Sequence, residues 1–588
     1  MTDELSPAQE LVLGPTVRLV EASPGAGKTR SIVARFRAES IKRNGGVGLL
    51  SFTNAAINEA VRRTASDSRL TDSPNFVGTF DSFIHRFIVT PWFRRTERKS
   101  PTYVDSWDEL PEEWTRLRHA RIPGAGLALS SFSPNSDGDL EYATEPPSDE
   151  QAYVAQLRSA RPQLSPQDLL SRAGAIVSGL LGAGTFDCDQ ARIKALNLLE
   201  DSEMGWLHTR LSVRFREIIV DEFQDCSAIE HRLIGDLESI GIRVVVVADP
   251  DQSIYEFRRA TPNAFADYKR ALAPEEIVNL TENYRSTVAI CELTSSLRSI
   301  GSDPITSAAN FGSDPHAQDV LVLVGSPGWQ RQQFTNRAES LQIALSDLMV
   351  LSPTRAGASR LAGEPKTDES GHGNTGRLIH ALATLRSSRS AVNRQEALKR
   401  ATRLILGSFQ WSAPQTSASS KSRLDAVGLS EQNMSQVMRD LLAASSSWAA
   451  LDDVKPSIVD ALQNRLGSLS VPLVALTTRF QKVKQEDWDF WDSSVSHSDA
   501  LRGVHIHAVK GLEFEGVLLD IPDRKRPNHP YVMDDWETSN TSEALRILYV
   551  GASRARRLIA LAITPRRQAQ LRRILTADHV HAEFVVEP

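Results

Sequence analysis

A glycine-rich segment near the amino terminus carries residue types suited to binding phosphate. Residues 21–29, EASPGAGKT, follow the β-rich run VRLVE and precede TRSIVARFRAESI, whose apolar residues recur at helical spacing. Glycines let backbone N–H groups face a phosphate chain, Lys28 adds positive charge, and the Thr29 hydroxyl can bind Mg²⁺. Ala22 replaces the first glycine of the general phosphate-loop pattern. Taken alone, the segment could therefore also be a chance glycine turn before a helix.

Two adjacent carboxylates at 221–222 extend this interpretation. In IIVDEFQD, residues 218–225, three strand-type residues are followed by Asp221 and Glu222. A carboxylate at a strand end can hold Mg²⁺, and its neighbour can orient and deprotonate an attacking water. We therefore predict that Asp221 binds Mg²⁺ and that Glu222 acts as the general base. A solvated turn is the alternative for an isolated Asp–Glu pair, but the upstream phosphate loop favours a nucleotide site.

The elements that must position these residues alternate between strands and helices. Such alternation predicts a parallel sheet with helices on both faces. Two groups of predicted strands are each interrupted by a helical stretch, and no internal sequence repeat is visible. The predicted strands lie at 17–21, 47–52, 75–80, 215–223 and 242–250 in the first group, and at 319–325, 347–353, 503–509, 516–522 and 558–564 in the second.

Composition excludes several classes of protein. The 588 residues are 41% hydrophobic and 24% charged, which is typical of a globular protein with more than one domain. The apolar runs are strand-length, and the three cysteines form no CxxC pair, so we expect a cytoplasmic protein without a membrane span or a cysteine-based metal site. A net charge of −6 indicates that any nucleic acid is bound by a local groove rather than by overall charge.

Six segments, in one order, resemble the motifs of UvrD-like superfamily 1 helicases. They are AxxGxGKT, VDEFQD, DxDQSIYxFRxA, NYRST, KGLEF and YVGASRA, and the motif-bearing region runs from Gln9 to Arg554. The resemblance implies two RecA-like P-loop NTPase domains with parallel sheets, each carrying a mainly helical insert. The domains implied are 1–100 with 206–290 (first RecA-like domain, ATP site), 101–205 (its insert), 291–364 with 501–588 (second RecA-like domain) and 365–500 (its insert).

The resemblance also implies roles for residues around ATP and Mg²⁺. Gln9 would read the adenine edge, Tyr284 would stack on the base, and Glu513 would contact the ribose. Gln252 would sense the γ-phosphate, while Arg285 and Arg554 would reach it from across the cleft. Surface ion pairing is the alternative for arginines taken singly. The implied phosphate-loop residues are Ser23, Gly25, Ala26, Gly27, Lys28, Thr29 and Arg30.

A single DNA strand is usually held by aromatic stacking and modest positive charge. SIYEFRRA supplies Tyr255, Phe257 and Arg258 directly after Gln252, although the family often has tryptophan at the position of Phe257. The resemblance adds Thr79, Phe80 and His507 as further strand contacts. The alternative is that these aromatic residues belong to the hydrophobic core.

Together these features predict an ATP-dependent DNA translocase or helicase that acts on single-stranded or tailed duplex DNA, and the resemblance to the family implies 3′ to 5′ polarity. Residues 75–93 and the compact inserts also resemble the helicase-like subunit of the Gabija anti-phage system. That narrower resemblance implies a partner nuclease. The alternative function is then a DNA- or nucleotide-sensing ATPase switch that activates the nuclease. A binding protein without hydrolysis is disfavoured because all the charged motif residues are present.

Overall fold

The computed structural model describes most of the chain, and contacts divide it into two compact units. The first unit comprises 1–318 with 535–553, and the second comprises 319–534 with 554–588. The described residues are 5–42, 45–52, 57, 61, 70, 72–110, 112–117, 126–135, 138–142, 150, 153–155, 169–254, 262–299, 301–309, 319–363, 373–387, 391–411, 420–496, 501–523, 531–538 and 542–588.

The first unit is built on a six-stranded parallel sheet with the order β6-β1-β5-β4-β2-β3. Its interior strands are nearly all apolar and buried, as parallel strands covered on both faces must be. The strands are β1 Leu19–Ala22, β2 Gly46–Ser51, β3 Phe76–Thr79, β4 Phe215–Val220, β5 Arg243–Ala248 and β6 Ile277–Leu280.

Helices cover both faces of this sheet and enclose two hydrophobic clusters. A six-residue π-helix, Ile84–Val89, joins α3 to α4. The helices of the first unit are α1 Pro7–Leu11, α2 Lys28–Ser40, α3 Phe80–Phe83, α4 Thr90–Glu97, α5 Leu170–Ala183, α6 Cys188–Glu200, α7 Gly205–Arg214, α8 Ala228–Ser239, α9 Pro262–Arg270 and α10 Val288–Ser296.

The stretch between β3 and β4 holds α5, α6 and a small separate core around Trp107, Leu117 and Leu129. Short strand pairs also occur there, including Phe132–Pro134 with Leu140–Tyr142 and Thr102–Tyr103 with Thr185–Phe186. This insert is therefore helical with small β-ribbons.

The second unit contains another six-stranded parallel sheet, of order β9-β8-β10-β11-β7-β12. Its strands are β7 Val320–Val324, β8 Leu348–Ser352, β9 Gly503–His505, β10 Phe514–Asp520, β11 Ala555–Ile563 and β12 Ala582–Val586. A helical cluster between β8 and β9 has its own core. The longer helices of the second unit are α11 Pro327–Ser340, α12 Arg355–Ala362, α13 Asn374–Ser387, α14 Ala391–Leu406, α15 Glu431–Ala444, α16 Leu451–Leu466, α17 Gln485–Ser496 and α19 Gln568–Ala577. Helix α18, Glu543–Ala552, belongs to the first unit.

The predicted fold class is confirmed: the chain has two RecA-like parallel sheets with mainly helical stretches inserted between their strands. Strands β6 and β12, the last of each sheet, were not predicted. The contact-based units also differ from the predicted domain ranges, since 291–318 and 535–553 group with the first unit. Within the described part of the chain, no helix is both long and apolar enough to span a membrane.

Candidate functional site

The glycine-rich segment forms a tight loop between β1 and α2. Gly25 and Gly27 have φ angles of 75° and 78°, in the left-handed region that favours glycine. A Cβ atom on Gly25 would collide with Asn283, and one on Gly27 would collide with Gln9. The Ala26 N–H donates to the Ser23 carbonyl at 3.2 Å. Both glycines are therefore required by conformation and by space.

Lys28, the first residue of α2, faces the two carboxylates that follow β4. Its Nζ lies 3.3 Å from Asp221 Oδ1 and forms an ion pair with Glu222 Oε1. Burial alone would lower the Lys28 pKa, but the charges of Asp221 and Glu222 outweigh burial and raise it. Lys28 is therefore held as a cation, and the three residues occupy one site.

The oxygen donors for Mg²⁺ fit the predicted assignment. Asp221 is buried directly after β4, and Thr29 is the half-buried second residue of α2. Burial raises the pKa of Asp221, whereas the Lys28 charge lowers it. One carboxylate and one hydroxyl beside a phosphate loop match the sparse protein ligation that Mg²⁺ has at nucleotide sites.

Glu222 has an unusual backbone conformation that orients its side chain. Its φ of 58° is rare for a residue other than glycine, and such strain is typical of functional sites. The Glu222 N–H donates to Asp221 Oδ1 at 2.9 Å, and Gln224 Nε2 donates to Glu222 Oε2 at 2.6 Å. Both carboxylate oxygens of Glu222 therefore have partners.

Asp249, directly after β5, connects this carboxylate to the predicted sensor. Its N–H donates to Gln224 Oε1 at 3.1 Å. Its Oδ2 accepts from Gln252 Nε2 at 2.8 Å and from the Tyr549 hydroxyl at 3.0 Å. Burial, then the charge of Asp251, raises the Asp249 pKa to about 6. Gln252 and the α18 residue Tyr549 thus share one carboxylate oxygen.

Two further contacts fix the loop that carries Gln252. Arg298 Nε pairs with Asp251 Oδ2 at 2.8 Å, and Ser299 donates to Asp251 Oδ1 through its N–H and its hydroxyl. Arg546, on α18, donates from Nε to the Ser253 carbonyl at 2.7 Å. Helix α18 is therefore attached to this loop at two points.

The residues predicted to hold the adenine base of ATP lie beside the phosphate loop. Gln9 is buried on α1, donates from Nε2 to the Ala26 carbonyl at 2.9 Å and accepts from the Ser6 N–H at 3.2 Å. Tyr284 follows the short strand Glu282–Asn283, is 38% exposed and donates its N–H to the Gly25 carbonyl at 2.9 Å. Its exposed ring leaves a face for stacking. Ser23 is buried, and Arg30 is half-buried on α2.

The two predicted arginines lie in different units. Arg285 belongs to the first unit with Lys28, its N–H donates to Asn283 Oδ1 at 2.7 Å, and its Nη1 donates to the Ser553 carbonyl at 3.3 Å. Arg285 thus lies in the same unit as the phosphate loop, to which its neighbour Tyr284 is hydrogen-bonded, and its contact with the γ-phosphate stays a prediction.

Arg554 lies in the second unit, 3% exposed, and its Nη1 donates to the Leu512 carbonyl at 3.4 Å. Glu513, the next residue, is exposed. The peptide N–H of Phe514, at the start of β10, also donates to the Arg554 carbonyl. The structure thus brings Arg554 beside the segment that carries Glu513.

The predicted strand contacts have separate outcomes. Tyr255, Phe257 and Arg258 lie outside the described residues. Thr79 caps α3 by accepting from the Ser82 N–H at 3.1 Å. Phe80 is 1% exposed in the core and stacks on Phe52 at 5.3 Å, so its ring has no face for a base, and the core alternative holds for this residue.

His507, the other predicted strand contact, is half-buried on the short helix Ile506–Val509. Its ring stacks on His505, with 4.5 Å between the ring centroids. Its role stays a prediction.

Several residues of this network were not predicted from the sequence. Asn283, Gln224 and Asp249 lie inside the quoted motifs, so their positions could have been noted there. Tyr549 also lies inside a quoted motif, but its partner Asp249 is 300 residues away in the chain. Arg298 lies outside the motifs and pairs with Asp251, 47 residues away, so the sequence gives no local signal for either contact.

Comparison with known proteins agrees with this geometry. Residues 3–273 match the family model of the UvrD/REP helicase N-terminal domain. The ATP-dependent DNA helicase UvrD2 of Mycobacterium tuberculosis is 24% identical over 94% of this chain and 77% of its own length. DNA helicase II of Escherichia coli is 27% identical over 50% of this chain and 40% of its own length. The putative ATP-dependent DNA helicase YjcD of Bacillus subtilis is 26% identical over 49% of this chain and 36% of its own length. The chain therefore carries a UvrD/REP helicase N-terminal domain and is homologous to the UvrD-type helicases.

Proposed function

We propose that the chain is an ATP-dependent DNA helicase that hydrolyses ATP at the carboxyl edge of the first sheet and moves 3′ to 5′ on single-stranded DNA. Homology to ATP-dependent DNA helicases supports the activity. The 3′ to 5′ polarity is implied by the resemblance of the motifs. Single-stranded or tailed duplex DNA is the expected substrate.

One observation carries the proposal: a continuous set of hydrogen bonds links the phosphate loop to α18. Lys28 contacts Glu222, which accepts from Gln224, which in turn accepts from the Asp249 N–H. Asp249 accepts from both Gln252 and Tyr549. A change at the phosphates can therefore reach α18 without a gap in the chain of contacts.

In this proposal, each charged residue has one task. Lys28 exchanges part of its carboxylate contacts for phosphate oxygens of ATP, which frees Glu222 to orient and deprotonate the attacking water. Bound Mg²⁺, held by Thr29 and Asp221, would neutralise charge on the phosphates. Positive side chains aimed at the transferring phosphoryl group lower the barrier because charge spreads over its oxygens.

Arg285 and Arg554 would report on the γ-phosphate of the nucleotide, as the resemblance of their motifs implies. Hydrolysis and product release would then change the conformation of the motif residues around the nucleotide and produce a step along the strand.

The test combines hydrolysis with strand displacement. Phosphate release is measured with and without single-stranded DNA, and unwinding is measured on duplexes with a 3′ tail or a 5′ tail. We expect DNA to stimulate hydrolysis and only the 3′-tailed duplex to be separated. Unwinding from the 5′ tail alone would contradict the polarity.

The same assay distinguishes the alternative function. A sensing switch would hydrolyse ATP in response to DNA without displacing a strand. It would also activate a nuclease when the two proteins are mixed. A nuclease encoded beside this chain is the partner to test. Hydrolysis that does not respond to DNA would contradict both functions.

A further inference from the structure

Four arginines lie on α7 and on the helical stretch 84–97, which share aromatic contacts. Trp206, Arg210 and Arg214 are spaced by four residues and so lie on the same face of α7. The guanidinium of Arg95 lies 4.7 Å from the Trp206 ring centroid. Both Arg86 and Arg214 lie within 5.4 Å of the centroid of one ring, Phe87. We call Arg86, Arg95, Arg210 and Arg214 the arginine stripe.

The arginine stripe is remote from the ATP site. Arg214 ends α7 immediately before β4 begins, and Arg86 also lies 5.8 Å from the ring of Phe76, which begins β3. The stripe therefore lies at the amino edge of the sheet. Asp221 follows the other end of β4, roughly 20 Å away for a strand of this length.

Within the described ranges of the chain, the positive charges of the arginine stripe are not paired with acidic side chains. Among the residues that the structure describes, no carboxylate forms an ion pair with any of the four. Burial, then repulsion from Arg86 and Arg210, lowers the Arg214 pKa. By contrast, Arg216, two residues further along, is paired with Glu39 at 2.9 Å. Concentrated like charge of this kind is stabilised by a bound anion.

The shape of the arginine stripe indicates which anion. Residues 206 to 214 span about 12 Å along α7, at 1.5 Å per residue. A nucleic acid strand presents one phosphate for about every 3.4 Å of helix axis, so several phosphates fit the stripe, whereas one free phosphate would meet only part of it. Phe87 and Phe215 beneath the guanidinium groups are buried, so they offer no stacking face for bases.

We propose that the arginine stripe binds the phosphate backbone of DNA at a second site, on the opposite edge of the sheet from the ATP site. The choice of DNA among polyanions rests on the proposed function. Contacts of this kind carry no sequence information and hold the protein on its substrate through charge. The stripe would thus keep DNA attached while the strand contacts near the ATP site exchange.

The test compares the full chain with a triple variant, Arg86→Gln, Arg210→Gln and Arg214→Gln. Binding of a fluorescent single-stranded oligonucleotide and of a tailed duplex is measured over a range of salt concentrations without nucleotide. The slope of log affinity against log salt should fall by about 0.7 for each phosphate of the single strand that an arginine no longer neutralises, or about 2 in total. Arg270→Gln is the matched control, because Arg270 is exposed on the same unit but paired with Asp267. It should leave the slope unchanged.

The other outcomes of this test also decide for or against the proposed site. A folded triple variant with the wild-type slope would overturn the proposal. If the triple variant does not fold, Arg210→Gln alone, at an exposed position, should lower the slope by about 0.7, and an unchanged slope would overturn the proposal equally. An unlabelled oligonucleotide should compete with the fluorescent one, whereas inorganic phosphate at the same total phosphate concentration should not. Equal competition by inorganic phosphate would assign the stripe to free phosphate instead. Because the readout needs no ATP, a reduced slope in a chain without hydrolysis would reject the proposed function and keep this site.

Discussion

The two sheets have the same strand order but differently equipped carboxyl edges. Numbered by position along the chain within each sheet, the strands run 6-1-5-4-2-3 in both. No sequence repeat is visible, so the common order reflects packing rules for parallel strands rather than retained residues. The comparison shows that the fold supplies an edge, and that the loops decide what the edge can bind.

The turn after the first strand of each sheet shows the difference most directly. In the first sheet, glycines with positive φ lead into α2, and Lys28 opens the helix. In the second sheet, the turn after β7 leads into α11, where the Ser326 N–H and hydroxyl both donate to the carboxylate of Glu587. A carboxylate of the chain itself, Glu587, therefore accepts from the residue at the start of α11, where a helix N-terminus favours an anion.

The strand ends that face these turns differ in the same way. Asp221 and Glu222 after β4 contact Lys28, which can move toward a ligand. Asp520 at the end of β10 instead accepts from the Ser352 hydroxyl at 2.8 Å and pairs with Arg360 at 3.3 Å. The second edge is therefore satisfied internally, and we expect substitutions there to affect stability rather than hydrolysis.

Removing the lysine of the first edge should have the largest effect. For Lys28→Ala we expect DNA-dependent phosphate release to fall by about 100- to 1000-fold or more, because one preorganised charge at the phosphates is removed. Lys269→Ala is the control, since Lys269 forms an exposed ion pair with Glu21 on the same unit. Normal turnover in Lys28→Ala would show that the first edge is not the hydrolytic site.

Replacing the general base Glu222 should reduce hydrolysis almost as much. For Glu222→Gln we expect hydrolysis to fall about 100-fold, since general base catalysis contributes roughly that much or more, while nucleotide binding is retained. Single-turnover measurements separate the chemical step from binding. An unchanged rate of the chemical step in Glu222→Gln would assign the general base to another residue.

The Asp249 carboxylate should give hydrolysis a pH dependence of intermediate size. Burial and Asp251 raise its pKa to about 6, with Arg298 opposing them. As pH falls through about 6, the carboxylate gains a proton and can no longer accept from both Gln252 and Tyr549, so DNA-dependent hydrolysis should decline several-fold. The pH profile of Asp249→Asn should lack this step. A step that persists unchanged in the variant would assign the titration elsewhere.

A smaller effect is expected at α18. Tyr549→Phe removes the hydroxyl that donates to Asp249, whose Oδ2 still accepts from Gln252. We expect basal hydrolysis to remain and DNA stimulation to fall a few-fold, with a decrease of about 1 kcal/mol in the free energy of unfolding. If DNA stimulates hydrolysis by Tyr549→Phe as much as by the wild type, α18 does not couple DNA binding to hydrolysis.

The smallest effect on activity is expected at the second edge. Asp520→Asn should leave phosphate release unchanged and alter the free energy of unfolding by at most about 1 kcal/mol, because loss of the ion pair with Arg360 is offset by relief of the burial that raises the Asp520 pKa. Urea titration and the hydrolysis assay measure the two quantities. Loss of hydrolysis in a stable Asp520→Asn protein would break the contrast between the two edges.

The sequence predicted most of the fold because the interior strands are continuous apolar runs followed by turn residues. Strands β6 and β12 were missed because each is a short edge strand whose mixed residues, IVNL and AEFVV, lack that signal. Their places depend on pairing with β1 and β7, which are distant in the chain.

At the candidate site, residues within a motif could be predicted and their long-range partners could not. Lys28, Asp221 and Glu222 meet as expected, since each ends or begins an element of one parallel sheet. Phe80 lies in the core instead, because its position at the start of α3 points its ring against Phe52. The contact between Asp249 and Tyr549 depends on tertiary packing that no local pattern encodes.

The number of nucleotides bound per chain tests the contrast between the edges most directly. Isothermal titration with a non-hydrolysable ATP analogue and Mg²⁺ should give one site per chain, weakened by Lys28→Ala and unaffected by Asp520→Asn. Two sites per chain, or one site that responds to Asp520→Asn and not to Lys28→Ala, would contradict the account.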